Sequence, residues 1–146
     1  MAGLTLEHAM TIVQAALAEA RATRCAPLAV AVLDAGGHLI ALAREDGAGI
    51  ARPEIAFGKA WGALGMGVGT RALARRLADH PQLAPFFASL SGLTEGRIVP
   101  VPGGVLIRDT AGTLIGAVGI SGDTSDKDEA CALAGIAAAS LVPDAG

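Results

Sequence analysis

With 146 residues, 52% of them apolar and 17% charged, the chain has the make-up of one folded domain spanning 1–146. It is too short for a second core and too apolar for disorder. A net charge of −3 argues against nucleic acid as a partner, because that needs a concentrated positive face, and Arg71, Arg75 and Arg76 fit an exposed helix face.

No stretch reaches the roughly 20 apolar residues of a bilayer span. The N-terminus MAGLTLEHAM lacks the basic-then-apolar pattern of a signal peptide, so a cytoplasmic chain with no membrane contact is expected. With three Phe, one Trp and no Tyr, aromatic stacking is not the main binding device. Cys25 and Cys131 stand far apart and outside any CxxC pattern, so neither a structural disulfide nor a zinc site is expected.

Apolar side chains at Leu6, Ala9, Ile12, Val13, Ala16, Leu17 and Ala20 have helical spacing over residues 6–22, with Thr5 as the N-cap. Residues 28–33 (LAVAVL) read as a buried strand. The turn residues Asp34-Ala35-Gly36-Gly37 lead into a partner strand at 38–44 (HLIALAR). After a loop at 45–52, Pro53-Glu54 opens a helix carrying Ile55, Ala56, Ala60, Trp61 and Leu64, which frays at Gly65-Met66-Gly67. Thr70 is placed to cap a helix through Leu77, and a shorter helix follows at 83–90.

Residues 97–101 (RIVPV), 105–108 (VLIR) and 114–120 (LIGAVGI) are three further strand candidates, the first at an edge because Pro100 and Pro102 cannot donate. Ser125 then opens an Ala-rich helix to about Leu141. The expected class is α+β, an antiparallel five-stranded sheet flanked by helices in the order α-β-β-α-α-β-β-β-α. No internal repeat and no linker is read.

Glycine is abundant, but there is no GxxxxGK[ST], and Gly65-Met66-Gly67-Val68-Gly69 follows a helical pattern, so phosphate-loop binding is not expected. Ser121 lacks the GxSxG context of a nucleophile. His8, His38 and His80 are widely separated, which leaves no metal site built from local spacing.

What stands out is polar residues beside glycines. Asp34 suits a side-chain-capped turn. His38 is either an exposed strand end or a group that moves a proton. Lys59 lies in an otherwise apolar helix, and its ammonium needs an anion: a protein carboxylate such as Asp46, or the carboxylate of a ligand. Arg44, Glu45 and Asp46 end the second strand, Arg97 enters the later strands, and Gly103-Gly104 would let a ligand approach the backbone.

Val30 to Leu39 (VAVLDAGGHL) resembles the "VVDAGGHL" hairpin of the GlcG/HbpS-like haem-binding family, also called haem-degrading proteins, which is related to the C-terminal domain of some corrinoid adenosyltransferases. The likeness continues through Ala43-Arg44-Glu45-Asp46-Gly47, Gly58-Lys59-Ala60-Trp61, Pro102-Gly103-Gly104-Val105, Ile115 to Gly122 and Asp126-Lys127-Asp128-Glu129. It implies a profilin-like domain, homo-oligomers (dimers or higher) and haem as a cofactor. His38 is then the first candidate for the haem iron and His80 the second. Phe57, Trp61, Phe86 and Phe87 would supply apolar walls.

The first functional expectation is an oligomeric binding protein for haem or another carboxylate-bearing small molecule, using His38, Arg44, Lys59, Trp61, Arg97, Gly103 and Gly104. The second is a cofactor-independent isomerase, hydratase or hydrolase acting on a small organic acid in catabolism. In it His38 or Asp46 moves a proton while Lys59 or Arg97 steadies negative charge. The third is a structural or accessory oligomer, for which the Gly116-Ala117-Val118-Gly119 run and the Ala-rich last helix offer flat faces that would equally serve an internal core.

Overall fold

A computed structural model describes residues 3–146. Thr5 caps α1 (Leu6–Ala22): its hydroxyl accepts from the His8 amide at 3.1 Å, and His8 Nδ1 accepts from the Thr5 amide in return. That reciprocal pairing satisfies donors the first turn cannot. The expected hairpin follows as β1 (Ala29–Asp34) and β2 (Leu39–Arg44). Next come α2 (Arg52–Met66), α3 (Thr70–Asp79), a 3-10 turn at Pro81–Leu83 and α4 (Ala84–Leu93). The chain closes with β3 (Gly104–Arg108), β4 (Leu114–Ser121), α5 (Ser125–Ala138) and β5 (Val142–Asp144).

The sheet has the order β2-β1-β4-β3-β5, and every neighbouring pair is antiparallel. Alternation along β1 sends Val30 and Val32 to a core shared with Ile12, Ala16, Cys131 and Ile136 of α1 and α5. Ala29, Ala31 and Leu33 point the other way, under Ala56, Ala60 and Ala63 of α2. The molecule is therefore α+β, a five-stranded antiparallel sheet with helices on both faces.

Four local expectations are corrected. Residues 97–101 form no strand; Ile98 and Val99 lie instead against Gly62 and Gly58 of α2, and the two prolines deny that segment ladder donors. The fifth strand is β5, a three-residue edge strand containing Pro143, too short for a periodic signal. Thr70 is the first residue of α3 instead of its cap, because its hydroxyl is engaged with the backbone of Gly104, accepting from the amide at 2.8 Å. Thr124, one residue before Ser125, caps α5 by accepting from the Lys127 amide.

There is also a repeat. Asp34-Ala35-Gly36-Gly37-His38-Leu39-Ile40 and Asp109-Thr110-Ala111-Gly112-Thr113-Leu114-Ile115 build the same turn. In each, one aspartate oxygen accepts from the backbone amides two and four residues on. In each, the isoleucine is skipped in the strand register as a bulge. Since β1 and β4 are antiparallel neighbours, both turns lie side by side at one end of the sheet.

The run at 116–119 is internal packing. A Cβ on Gly119 would stand 1.8 Å from the carbonyl oxygen of Ala56, and one on Gly104 2.2 Å from that of Lys59, so α2 rests on the sheet backbone to backbone. Gly119→Ala should therefore lower stability by about 1–3 kcal/mol in urea denaturation, whereas Gly92→Ala, with open space around it, should cost nothing. A Gly119→Ala chain as stable as its parent would mean that α2 does not bear on β4.

Cys25 and Cys131 are free and buried with their sulfurs 4.0 Å apart. Burial first, and the neighbouring thiol second, push Cys131 up to about 12. Both thiols should react with an aromatic disulfide reagent at mildly alkaline pH far more slowly in the native chain than in urea; equal rates would place them at the surface.

Candidate functional site

The β1–β2 turn holds an aspartate–histidine pair. Asp34 Oδ1 accepts from the Gly36 amide at 2.9 Å, the His38 amide at 3.0 Å and His38 Nδ1 at 3.2 Å. Burial pushes the Asp34 carboxyl up, but the two amides and the His38 ring outweigh it and hold it below the usual carboxylate value. Gly36 makes this possible, because a Cβ there would lie 2.8 Å from His38 Cε1. Nδ1 is the ring nitrogen turned to Asp34, and Nε2 points away from the pair. The His38 side chain is 81% exposed.

Beside this turn runs a groove, and the β2 bulge creates its wall. Leu33 faces Leu39 and Ala31 faces Leu42 in the register, with Ile40 skipped. Leu39 and Leu42 therefore both project on the α2 side, although they are three residues apart; in a regular strand they would face opposite ways. Because α2 sits over β1, β3 and β4, the two leucines stay 49% and 46% exposed.

The opposite wall is the lateral face of α2, where Glu54, Phe57, Trp61 and Leu64 recur at helical spacing. Arg97 lies over the Trp61 ring, 4.5 Å from its centroid. It closes an open cleft of about 520 Å³ whose apolar floor is Leu42, Pro53 and Phe57 and whose rim is Glu54, Glu95 and Arg97. A smaller recess of about 130 Å³ joins Trp61 and Leu64 to Gly36 and Gly37. Trp61 thus links the His38 turn to the Arg97 cleft. The size matches ordinary ligand clefts.

Of the residues expected at a site, Trp61 and Arg97 come together, while His38 lines a separate open recess of about 380 Å³ with Leu4, Asp34, Gly36, Thr113 and Leu114. Arg44 and Asp46 sit at the other end of β2, in a separate cleft with Arg21 and Glu45, and Arg44 donates to the Ala48 carbonyl at 2.8 Å. His80 ends α3, Phe87 is buried under it with Leu73 and Ile98, and Phe86 is half-exposed outside the groove.

Lys59, only 2% exposed, meets a protein carboxylate, but Asp128 in place of Asp46: its Nζ donates to Asp128 Oδ2 at 3.1 Å and to the Ile120 carbonyl at 2.8 Å. Gly103 leaves room for that ammonium, and Gly104 for the α2 backbone. Leu39, Leu42 and Glu54 were not anticipated, because nothing in the sequence announces the bulge that exposes the leucines. The spacing of Glu54, Phe57 and Trp61 was a usable signal for the second wall. Among the described residues, no cluster of three or more His, Cys, Asp or Glu is placed to hold a metal ion, and no helix is long and apolar enough to cross a membrane.

Burial lowers the Lys59 ammonium, with Asp128 resisting, and burial raises Asp128, with Lys59 resisting. Each partner is what keeps the other charged. Lys59→Met alone should cost about 3–5 kcal/mol in chemical denaturation by stranding a buried carboxylate, and adding Asp128→Leu should restore much of it. Losses that merely add would mean the two are not coupled.

Against known proteins, a family model described as haem degrading protein HbpS-like matches residues 4–137. An uncharacterised 15.0 kDa protein from the dhaT–dhaS intergenic region of Citrobacter freundii is 31% identical over 128 residues, covering 88% of this chain and 86% of that protein. Among solved structures, PduOC in complex with haem superposes with a TM-score of 0.84 at 28% identity, covering 96% of this chain and 97% of that one. Klebsiella pneumoniae ORFY does so with a TM-score of 0.82 at 26% identity, covering 94% and 90%. A double mutant of HbpS from Streptomyces reticuli gives 0.77 at 30% identity, covering 94% and 87%. On the strength of that match over residues 4–137, the chain belongs to the HbpS-like family of haem-degrading proteins.

Proposed function

We propose that the groove between β2 and α2 binds a flat small molecule bearing carboxylates, with haem the foremost candidate. One observation carries this reading: an apolar groove floored by Leu42 and Phe57 holds an accessible arginine, and the turn that adjoins it at Gly36 and Gly37 carries an exposed histidine. Haem asks for an axial ligand, which histidine commonly supplies, apolar walls and a cation for its propionates. Leu39, Leu42, Phe57 and Trp61 would pack against the ring, Arg97 would take a propionate, and His38, on the turn that adjoins the groove, is the candidate ligand for the iron. Glu54 and Glu95 would turn carboxylates away from the rest of the rim. When bound, haem supplies redox and oxygen-binding chemistry; the chain supplies orientation and shelter from water. Its membership of a haem-degrading family and the haem complex of PduOC support this reading.

We further propose that the protein works as a homo-oligomer. The groove is open on its outer side, and β2 is a six-residue edge strand with neither proline nor lysine to discourage pairing, unlike β5. A second copy against β2 would cover Leu39 and Leu42.

A second reading is proton transfer on a small organic acid at the recess that His38 lines. The Asp34–His38 pair favours it, with His38 as the base; Asp46 lies at the other end of β2 and Lys59 too deep to take part.

The deciding experiment is a haemin titration followed by Soret absorbance and by quenching of Trp61, the lone tryptophan. A saturable one-to-one Soret shift is expected, lost in His38→Ala. Arg97→Ala should weaken binding about tenfold, as for one charge-assisted hydrogen bond of about 1.5 kcal/mol. Non-saturating absorbance that ignores His38 would remove haem as the ligand, and turnover of small carboxylic acids abolished by His38→Ala would establish the second reading.

A further inference from the structure

We infer that Asp34 is a positioning residue for His38: it fixes which ring nitrogen carries the proton and presents Nε2 as the nitrogen available to a ligand or a proton. The inference deepens the role proposed for His38 and rests on it for its functional meaning, but the chain itself supplies the geometric control.

The turn at Asp109 repeats the turn at Asp34 bond for bond in its backbone. Asp109 Oδ1 accepts from the Ala111 amide at 3.0 Å and the Thr113 amide at 2.9 Å, and Asp34 Oδ1 accepts from the corresponding amides of Gly36 and His38 at 2.9 and 3.0 Å. The second turn closes with threonine where the first has histidine. Closing this turn therefore needs the aspartate and its two amides, but no imidazole. What the first turn adds is a third donor, His38 Nδ1, on the same oxygen at 3.2 Å. It also adds a glycine at 36, without which the ring could not fold over the turn.

At Asp109 two amides hold the carboxylate with no imidazole present, so at Asp34 the ring meets an acceptor that the turn already fixes. An anion at Nδ1 favours the Nδ1–H form and raises the basicity of Nε2, the arrangement in which a histidine serves best as a ligand or as a base.

The test uses the unliganded full-length chain and the 15N resonances of its imidazoles at a pH where they are neutral. In the wild type His38 should show a protonated Nδ1 and a bare Nε2. Asp34→Asn keeps an oxygen for the two amides, and hence the turn, while removing the charge. The Nε2 resonance should then move from the unprotonated towards the protonated range. Asp109→Asn, the same change in the turn that lacks histidine, should leave His38 unmoved.

An Nε2–H ring in the wild type overturns the inference, and that measurement needs no variant to fold. So does a His38 tautomer that is the same in Asp34→Asn. Carbethoxylation by diethylpyrocarbonate, followed by mass spectrometry, gives a second readout: His38 should be modified several-fold more slowly in Asp34→Asn, and an equal rate counts against the inference. Failure to bind haemin alongside a bare Nε2 would overturn the haem reading alone. Haemin binding through His38 with an Nε2–H ring in the free chain would overturn the role of Asp34 alone.

Discussion

The ion pair between Lys59 and Asp128 joins two layers that the sheet otherwise keeps apart. Helix α2 lies on one face and α5 on the other, so their side chains can meet only around an end of the strands. Lys59 reaches that end beside the Ile120 carbonyl, and Asp128 waits there with its other oxygen accepting from the Asp123 amide. Nearby links follow the same route: Arg71 of α3 pairs with Glu129, and Arg52 donates to Ser121. Burying two charges is costly, and the cost is offset by the partners each has: two acceptors for Lys59 Nζ and one donor for each oxygen of Asp128. Among the described residues no buried side-chain nitrogen or oxygen lacks a partner. The polar clamp thus holds one end of the sheet, and the turns at the other end are left free to present His38.

The elements that could be read from sequence were those whose signal is local. The α1 stripe, its Thr5 cap, the β1–β2 hairpin and the proline-led start of α2 all declare themselves within a dozen residues, and they formed as expected. Residues 97–101 misled because β-branched residues suit any extended segment. Whether such a segment joins a ladder depends on donors, which Pro100 and Pro102 lack, and on the smooth flank that Gly58 and Gly62 offer it on α2. The short β5 had no pattern to detect, and its pairing with β3 is a tertiary outcome, backed by Arg108 with Asp144.

The candidate site was legible residue by residue but not as an assembly. His38, Trp61 and Arg97 each stood out by type or by neighbourhood, yet only Trp61 and Arg97 meet, where α2 and the approach to β3 converge, and His38 adjoins them through the glycines of its turn. Asp46 looked close to His38 in sequence, but a strand carries its two ends to opposite ends of the sheet. Lys59 was correctly seen to need an anion. Finding Asp128 where Asp46 was expected required knowing which end of the sheet Lys59 reaches.

The glycine contacts beneath α2 have a consequence for how the protein can change over evolutionary time. Where helices usually ride on interleaved side chains, the height of a helix shifts whenever a core residue is exchanged. Here the helix main chain touches the strand main chain at Gly119 and Gly104, so its seat does not depend on any rotamer. Glu54, Phe57 and Trp61 on the lateral face can therefore be exchanged without tilting the scaffold that carries them. Selection for a new ligand and selection for a stable sheet act on different residues, and a lineage can retune the groove while keeping the fold.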